Sequence, residues 1–198
     1  MRRPLLFFVA VFATSSLCWA QMPNINMPAR TVEPASFDAE QRLAVINYCR
    51  LDFDGARLSA QSFDRMRSLL MQAQNAPFES FEVVSRYSVP APADPSGPVI
   101  ANYRLIGRWD NRSGWKEGNF IEDVRFDVVQ REGAALISNI EPGQPHVSAR
   151  AALAYLRQRL SLAKTDAEHS MIQKAIDSIS ATMASTNPVQ SSTPAAKP

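Results

Sequence analysis

Phe81-Glu82-Val83-Val84-Ser85-Arg86-Tyr87-Ser88-Val89 (FEVVSRYSV, residues 81–89) marks where the chain stops repeating every three to four residues and begins repeating every two. Phe81, Val83, Ser85, Tyr87 and Val89 alternate with Glu82, Val84, Arg86 and Ser88, which is the period of a strand. Upstream the pattern is helical. Asp38 with Gln41 forms a capping box, Val45, Ile46, Cys49 and Phe53 share one face, and Gly55 is the residue type that ends a helix in the left-handed conformation. Ser59 then caps a second helix expected to run to about Ala73, with Phe63, Met66 and Leu70 inward and Asn75-Ala76-Pro77 as its stop.

Downstream, the proline-rich Pro90–Pro98 connector cannot continue a ladder, so it joins two strands as a loop. A second strand is expected over Val99–Trp109, with Val99, Ala101, Tyr103, Leu105 and Trp109 on one side. The loop DNRSGWKEG leads to a third strand, Asn119–Gln130, carrying Phe120, Val124, Phe126 and Val128. The turn Arg131-Glu132-Gly133 leads to a fourth, Ala134–Glu141. Short connections make these consecutive antiparallel partners. Pro142 and Pro145 then end the sheet. Ser148 caps a helix with Ala152, Leu153, Leu156 and Leu160 inward, and the capping box Thr165–Glu168 starts another with Ile172, Ala175, Ile176, Ile179 and Met183. The fold class expected is α+β: N-terminal helices on a curved four-stranded antiparallel sheet, followed by a C-terminal helix pair.

The ends read differently. Residues 1–20 have basic Arg2 and Arg3, an apolar run from Pro4 to Phe12, and the small-residue ending Cys18-Trp19-Ala20. This is the layout of a secretory signal peptide, the apolar run being shorter than the roughly 20 residues of a bilayer crossing. Leu17 argues against a lipoprotein reading of Cys18, and an uncleaved anchor would leave the folded part on the same side. Residues 21–36 form a proline-containing leader, 37–147 the α+β domain, 148–184 a helical hairpin and 185–198 a polar tail. The expected location is periplasmic or secreted, with membrane contact only through the export signal.

The 198 residues hold 21 Lys and Arg against 19 Asp and Glu. Cleavage after Ala20 removes two arginines and no acid, leaving a formally neutral chain without the field that attracts nucleic acid. It also leaves Cys49 as the only thiol, so no internal disulfide forms and the apolar core must hold the fold. Cys49 reads as a small hydrophobe of the helical stripe.

The helix through VINYCRLDFDGARLS, the strand pair FEVVSRYSV and VIANYRLIGRW, the strand FIEDVRFDVV and the exit IEPGQPHV together resemble the NTF2-like superfamily, which includes SnoaL-like proteins. The resemblance covers roughly Phe37–Val147 and implies a cone whose concave face forms a small-ligand pocket. Tyr87, Tyr103 and Phe126 are its expected lining, with Tyr48 or Asp52 looking in from the first helix. Enzymes of the family use an Asp or His there as general base, which makes Asp52 and Tyr48 the catalytic candidates. Asp52 has a structural alternative, pairing with Arg50, Arg57 or Arg86. A plain helix-on-sheet layer is the alternative fold.

His146, in a loop, and His169, in the last helix, lack metal-ligand spacing, and no phosphate-binding or nucleophile-elbow motif occurs, so no metal or cofactor is expected. Trp115, Arg112 and Lys116 form an aromatic and basic loop suited to surface recognition; the structural alternative is that Trp115 covers a sheet edge. The function expected is a non-catalytic module for a small apolar ligand or an envelope protein, with a homodimer compatible. The alternative is a cofactor-free dehydratase or isomerase using Asp52.

Overall fold

The computed structural model describes residues 37–72, 79–91, 94 and 97–186. The expected signal peptide, leader and Asn75–Pro77 stop lie outside them, as does the tail from residue 187. The chain is α+β, with a curled mixed sheet of six strands rather than the expected four. Helix α1 (Phe37–Phe53) and the single turn α2 (Ala60–Phe63) precede strands β1 (Ser80–Ser88), β2 (Val99–Asp110), β3 (Gly114–Glu117), β4 (Ile121–Arg131), β5 (Ala134–Glu141) and β6 (His146–Ser148). Helices α3 (Ala149–Leu160) and α4 (Asp166–Thr186) follow. The strand order is β5-β4-β2-β1-β6, with β3 also on β2.

The expected meander pairs β1–β2, β2–β4 and β4–β5 are antiparallel. Two further strands depart from expectation. Within the supposed loop, Asp110 accepts hydrogen bonds at Oδ1 from the Arg112 and Ser113 amides at 2.9 and 2.8 Å, turning the chain so that β3 folds back on β2. His146, expected in a loop, instead belongs to β6, which pairs parallel with β1. The second helix also stops early. Leu70 leaves helical geometry and bridges Ile137 on the edge of β5, while the Met71 amide donates to the Ile137 carbonyl at 2.9 Å. An edge strand's unpaired groups outweigh helix propensity there.

Local signals hold elsewhere. Gly55 ends α1 at φ 85°, the Ser59 and Ser148 hydroxyls accept from the Ser62 and Ala151 amides, and Glu132-Gly133 makes the β4–β5 turn with positive φ at both residues.

Helix α1 touches both edge strands, β5 and β6, because the sheet curls around it. Val45, Tyr48, Cys49, Phe63, Met66, Tyr103, Leu105, Phe126 and Ile137 fill this concave side. On the convex side, α3 and α4 cover Phe81, Val83, Trp109 and Val147 with Leu153, Leu156, Ile172 and Ile179.

Strict alternation fails in the middle of β1 and β2. The register skips Ile106 on one strand and Ser85 on the other, a pair of bulges. Leu105 and Val84 therefore face the concave core while Gly107 and Val83 face the helices, which moves Trp109 to the side opposite Tyr103. Phe120, expected inward, is exposed.

Candidate functional site

The concave face at the end of α1 holds a buried polar cluster. The helix stripe runs through Gln41, Val45, Tyr48 and Asp52, so two polar side chains lie in the core. Asp52 Oδ2 accepts the His146 backbone N–H at 2.8 Å and stands 3.8 Å from an Arg57 guanidinium nitrogen, while Oδ1 has no hydrogen-bond partner among the described residues. Burial pushes the Asp52 carboxyl above its usual range, against the lowering influence of Arg57. Arg57 Nη1 donates to Tyr48 Oη at 2.7 Å, and its guanidinium also donates to the Gly143 and Gln144 carbonyls. It thereby ties the end of α1 to the turn before β6.

The His146 ring stacks on Tyr103 at 4.2 Å, and its Nε2 lies 2.7 Å from Glu122 Oε2. Glu82, paired with His146 in the β1–β6 register, is buried and bonded to Arg108. Burial raises its carboxyl, Arg108 opposes that, and Glu122 adds to it.

Of the expected pocket residues, Tyr48, Tyr103 and Phe126 meet in one packed aromatic cluster. Tyr48 lies edge-on to Phe126 at 5.4 Å, and Tyr87 leans on Tyr103 at 5.8 Å and on Phe53 at 5.4 Å. Burial raises the Tyr48 and Tyr103 hydroxyls, and Tyr103 Oη is buried without a hydrogen-bond partner among the described residues. Cys49 is fully buried beside them, its thiol pushed up to about 12 chiefly by desolvation.

Trp115 sits elsewhere. Its ring lies against Gly107, where an added Cβ would meet it at 2.3 Å, so it caps the β2–β3 hairpin. Arg112 and Lys116 are exposed beside it. His169 is exposed on α4.

Sequence reading missed Glu82, Arg108, Glu122 and the inward position of His146, whereas Arg57, one of the three alternative partners expected for Asp52, does stand beside it. One signal was available: Glu82 shares its face with Val84, an apolar residue, so that face is not solvent.

Among the described residues, no group of three or more His, Cys, Asp or Glu is placed to hold a metal ion. No described helix is long and apolar enough to cross a membrane.

Open space lies beside the cluster and behind it. A hollow of about 170 Å³ at the mouth of the curl is lined by Tyr48, Arg57, Phe63, Gln72, Ile137 and Asn139. Where the two faces meet, a groove of about 410 Å³ runs between the end of α1, the start of α3 and the end of α4, walled by Phe53 and Val84 of the concave cluster and by Ile106, Arg150 and Met183. It adjoins a section of about 560 Å³ lined by Arg104, Glu117 and Asn119. The two share Ser85, Ile106 and Thr182, so the bulged residues form the common floor. Ligand sites begin at roughly 300 Å³, which the groove reaches and the hollow does not.

Comparison with family models, with curated proteins and with solved structures returns no match.

Proposed function

We propose that this chain is an exported, non-catalytic binding module of a bacterial cell envelope, of NTF2-like cone architecture, whose partner occupies the groove at the ends of α1 and α4 rather than the cone. The observation that carries this reading is the distribution of space. Phe63, Met66, Leu105, Phe126 and Ile137 fill the curl, while ligand-sized volume lies outside it, between Phe53, Ile106 and Met183. The export layout of residues 1–20 supports the location, and the element order Phe37–Val147 supports the family.

Native mass spectrometry of the protein purified from its own host tests this. A bound mass is expected, and Met183→Glu, at a residue 38% exposed, removes it without unfolding the chain. A bound mass indifferent to Met183→Glu, or no bound mass at all, overturns the groove reading.

The second reading, a cofactor-free enzyme with Asp52 as general base and a tyrosine as hydrogen-bond donor, is favoured by the raised Asp52 carboxyl and its unpartnered Oδ1. It requires substrate to reach that oxygen, and Asp52 lines neither the hollow nor the groove. Turnover of a small substrate abolished by Asp52→Asn would replace the module with the enzyme.

A further inference from the structure

Helix α4 ends beside the groove. Thr182 and Met183, in its last two turns, stand on the wall, and the helix stops at Thr186. Twelve residues of chain follow, Asn187 to Pro198. Asn187 and Pro188 are the residue types that stop a helix and turn the chain off its axis. Met183 lies about 4.5 Å back along the axis from Thr186, whereas the three residues from Thr186 to Val189 reach about 10 Å when extended. Val189 can therefore return to Met183 and Phe53 with α4 in place. The seven residues from there to Ala196 span about 23 Å, enough to continue past Ile106 to the section lined by Arg104 and Asn119.

Charge selects the same occupant. The charged lining is balanced, Arg104 and Arg150 against Asp54 and Glu117. Glu117 already accepts from the Ser178 hydroxyl at 2.6 Å, and Arg104 donates to the Asn119 amide oxygen at 3.4 Å. A strongly charged segment finds no net attraction there. Asn187 to Ala196 carries no charged side chain and offers Val189, Pro194, Ala195 and Ala196 to walls made by Phe53, Val84, Ile106 and Met183. The chain preceding α1 fits less well: it holds Arg30 and Glu33 and joins at Phe37, about 24 Å from Phe53 along the helix.

We propose that residues 187–196 lie in the groove as an intramolecular plug, with Val189 seated between Phe53, Ile106 and Met183, and that a partner must displace them. This rests on the groove reading above and adds how access to that site is regulated. A segment tethered so close to its site acts at an effective concentration of millimolar order, so a modest contact suffices. Pro188 and Pro194 lower the entropy lost on docking.

Paramagnetic relaxation enhancement on the full chain tests the proposal. A nitroxide carried by Ser192→Cys in the Cys18→Ser protein, where Cys49 is buried, should broaden the amide resonances of Ser85, Ile106 and Asn119 and spare Glu132 at the tip of the β4–β5 hairpin. Val189→Glu should abolish that broadening. The chain ended at Thr186 should bind the apolar dye anilinonaphthalene sulfonate about threefold more strongly than the full chain, and Met183→Glu should cancel the gain. Circular dichroism confirms that each variant is folded. Broadening that is absent, or unchanged by Val189→Glu, overturns the proposal, as does equal dye binding by the full and shortened chains. Broadening that appears only between chains, when isotope-labelled parent is mixed with spin-labelled protein, assigns the groove to the tail of a second copy and also overturns it. If Met183→Glu releases a native bound mass while no broadening is seen, the groove reading survives and the plug fails. If broadening depends on Val189 and no bound mass is found, the plug stands and the partner reading fails.

Discussion

Replacing Asp52 by Asn separates a carboxylate held for its charge from one held for its shape. Asp52 is 1% exposed. It receives one backbone hydrogen bond, at 2.8 Å from His146, and its nearest guanidinium nitrogen is 3.8 Å away, beyond the about 2.7–2.9 Å of a charge-assisted bond. Its other oxygen has no partner among the described residues. A carboxylate so placed loses more hydration than one amide and a distant cation return, so burial dominates and the acid is weakened. The sign for stability follows from linkage. In the unfolded chain Asp loses its proton near about pH 3.9, and in the fold it holds the proton to higher pH. The stability Asp52 contributes is therefore fully present below about pH 4 and is lost as pH rises through the higher folded value, by about 1.4 kcal/mol for each pH unit that separates the folded from the unfolded titration. Asn keeps an oxygen for the His146 amide and does not ionise. At pH 7 the Asp52→Asn protein should match or exceed the parent by about 1–3 kcal/mol, the cost of leaving a buried polar group unmatched. Removing the other partner has the opposite effect: Arg57→Met strands the carboxylate and frees Tyr48 Oη and two carbonyls, which should lower stability by about 3–5 kcal/mol. Urea unfolding followed by tryptophan fluorescence between pH 4 and 8 reads both effects. Glu82, also raised, and Asp110 and Asp127, both lowered by hydrogen bonds, titrate alike in parent and variant, so the difference curve isolates Asp52. An Asp52→Asn protein more than about 1 kcal/mol less stable at pH 7, with a difference curve that does not move between pH 4 and 7, would refute the reasoning.

Gly107→Ala should lower stability by about 1–3 kcal/mol, because the new methyl meets the Trp115 ring at 2.3 Å and the Lys116 carbonyl of the paired strand at 2.6 Å. Unfolding curves and the Trp115 emission maximum check this, and an unchanged protein would mean that the ring does not cover β2. The Cys49 thiol, pushed up to about 12 and fully buried, should stay protonated at pH 8 and resist iodoacetamide in the folded chain, then react when urea opens it. Prompt native labelling would place that sulfur at the surface. Arg86→Thr removes the like-charged neighbour of Arg104 and should raise stability by about 0.2–1 kcal/mol. A lower melting temperature would show that Arg86 is held by the fold instead.

What the sequence made legible was governed by distance along the chain. Gly55, Ser59, Ser148 and the Glu132-Gly133 turn act on backbone groups within a few residues, and each does locally what its residue type implies. Contacts formed over long separations left no comparable mark. The parallel pairing of β6 with β1 and the Leu70–Ile137 bridge depend on which edges the meander leaves unpaired. The Asp52–His146 bond spans 94 positions, and nothing near either residue announces it. The inward stripe of α1 departs from the apolar pattern because it includes Gln41 and Asp52, polar residues whose type implies solvent and whose positions are buried.

The bulges mark where pattern reading fails most usefully. Because strand side chains alternate with period two, a single extra residue transfers everything beyond it to the other face. Ile106 and Ser85 make that transfer in adjacent strands at the same level, so the sheet stays paired while its two faces exchange residues. Trp109 thereby becomes available to α3 and α4, and Tyr103 stays with α1. The same two residues form the shared floor of both sections of the groove. Alternation therefore misleads at the point where the sheet departs from regularity to open a cleft, and that departure is itself the feature in the strands that points to a site rather than to packing.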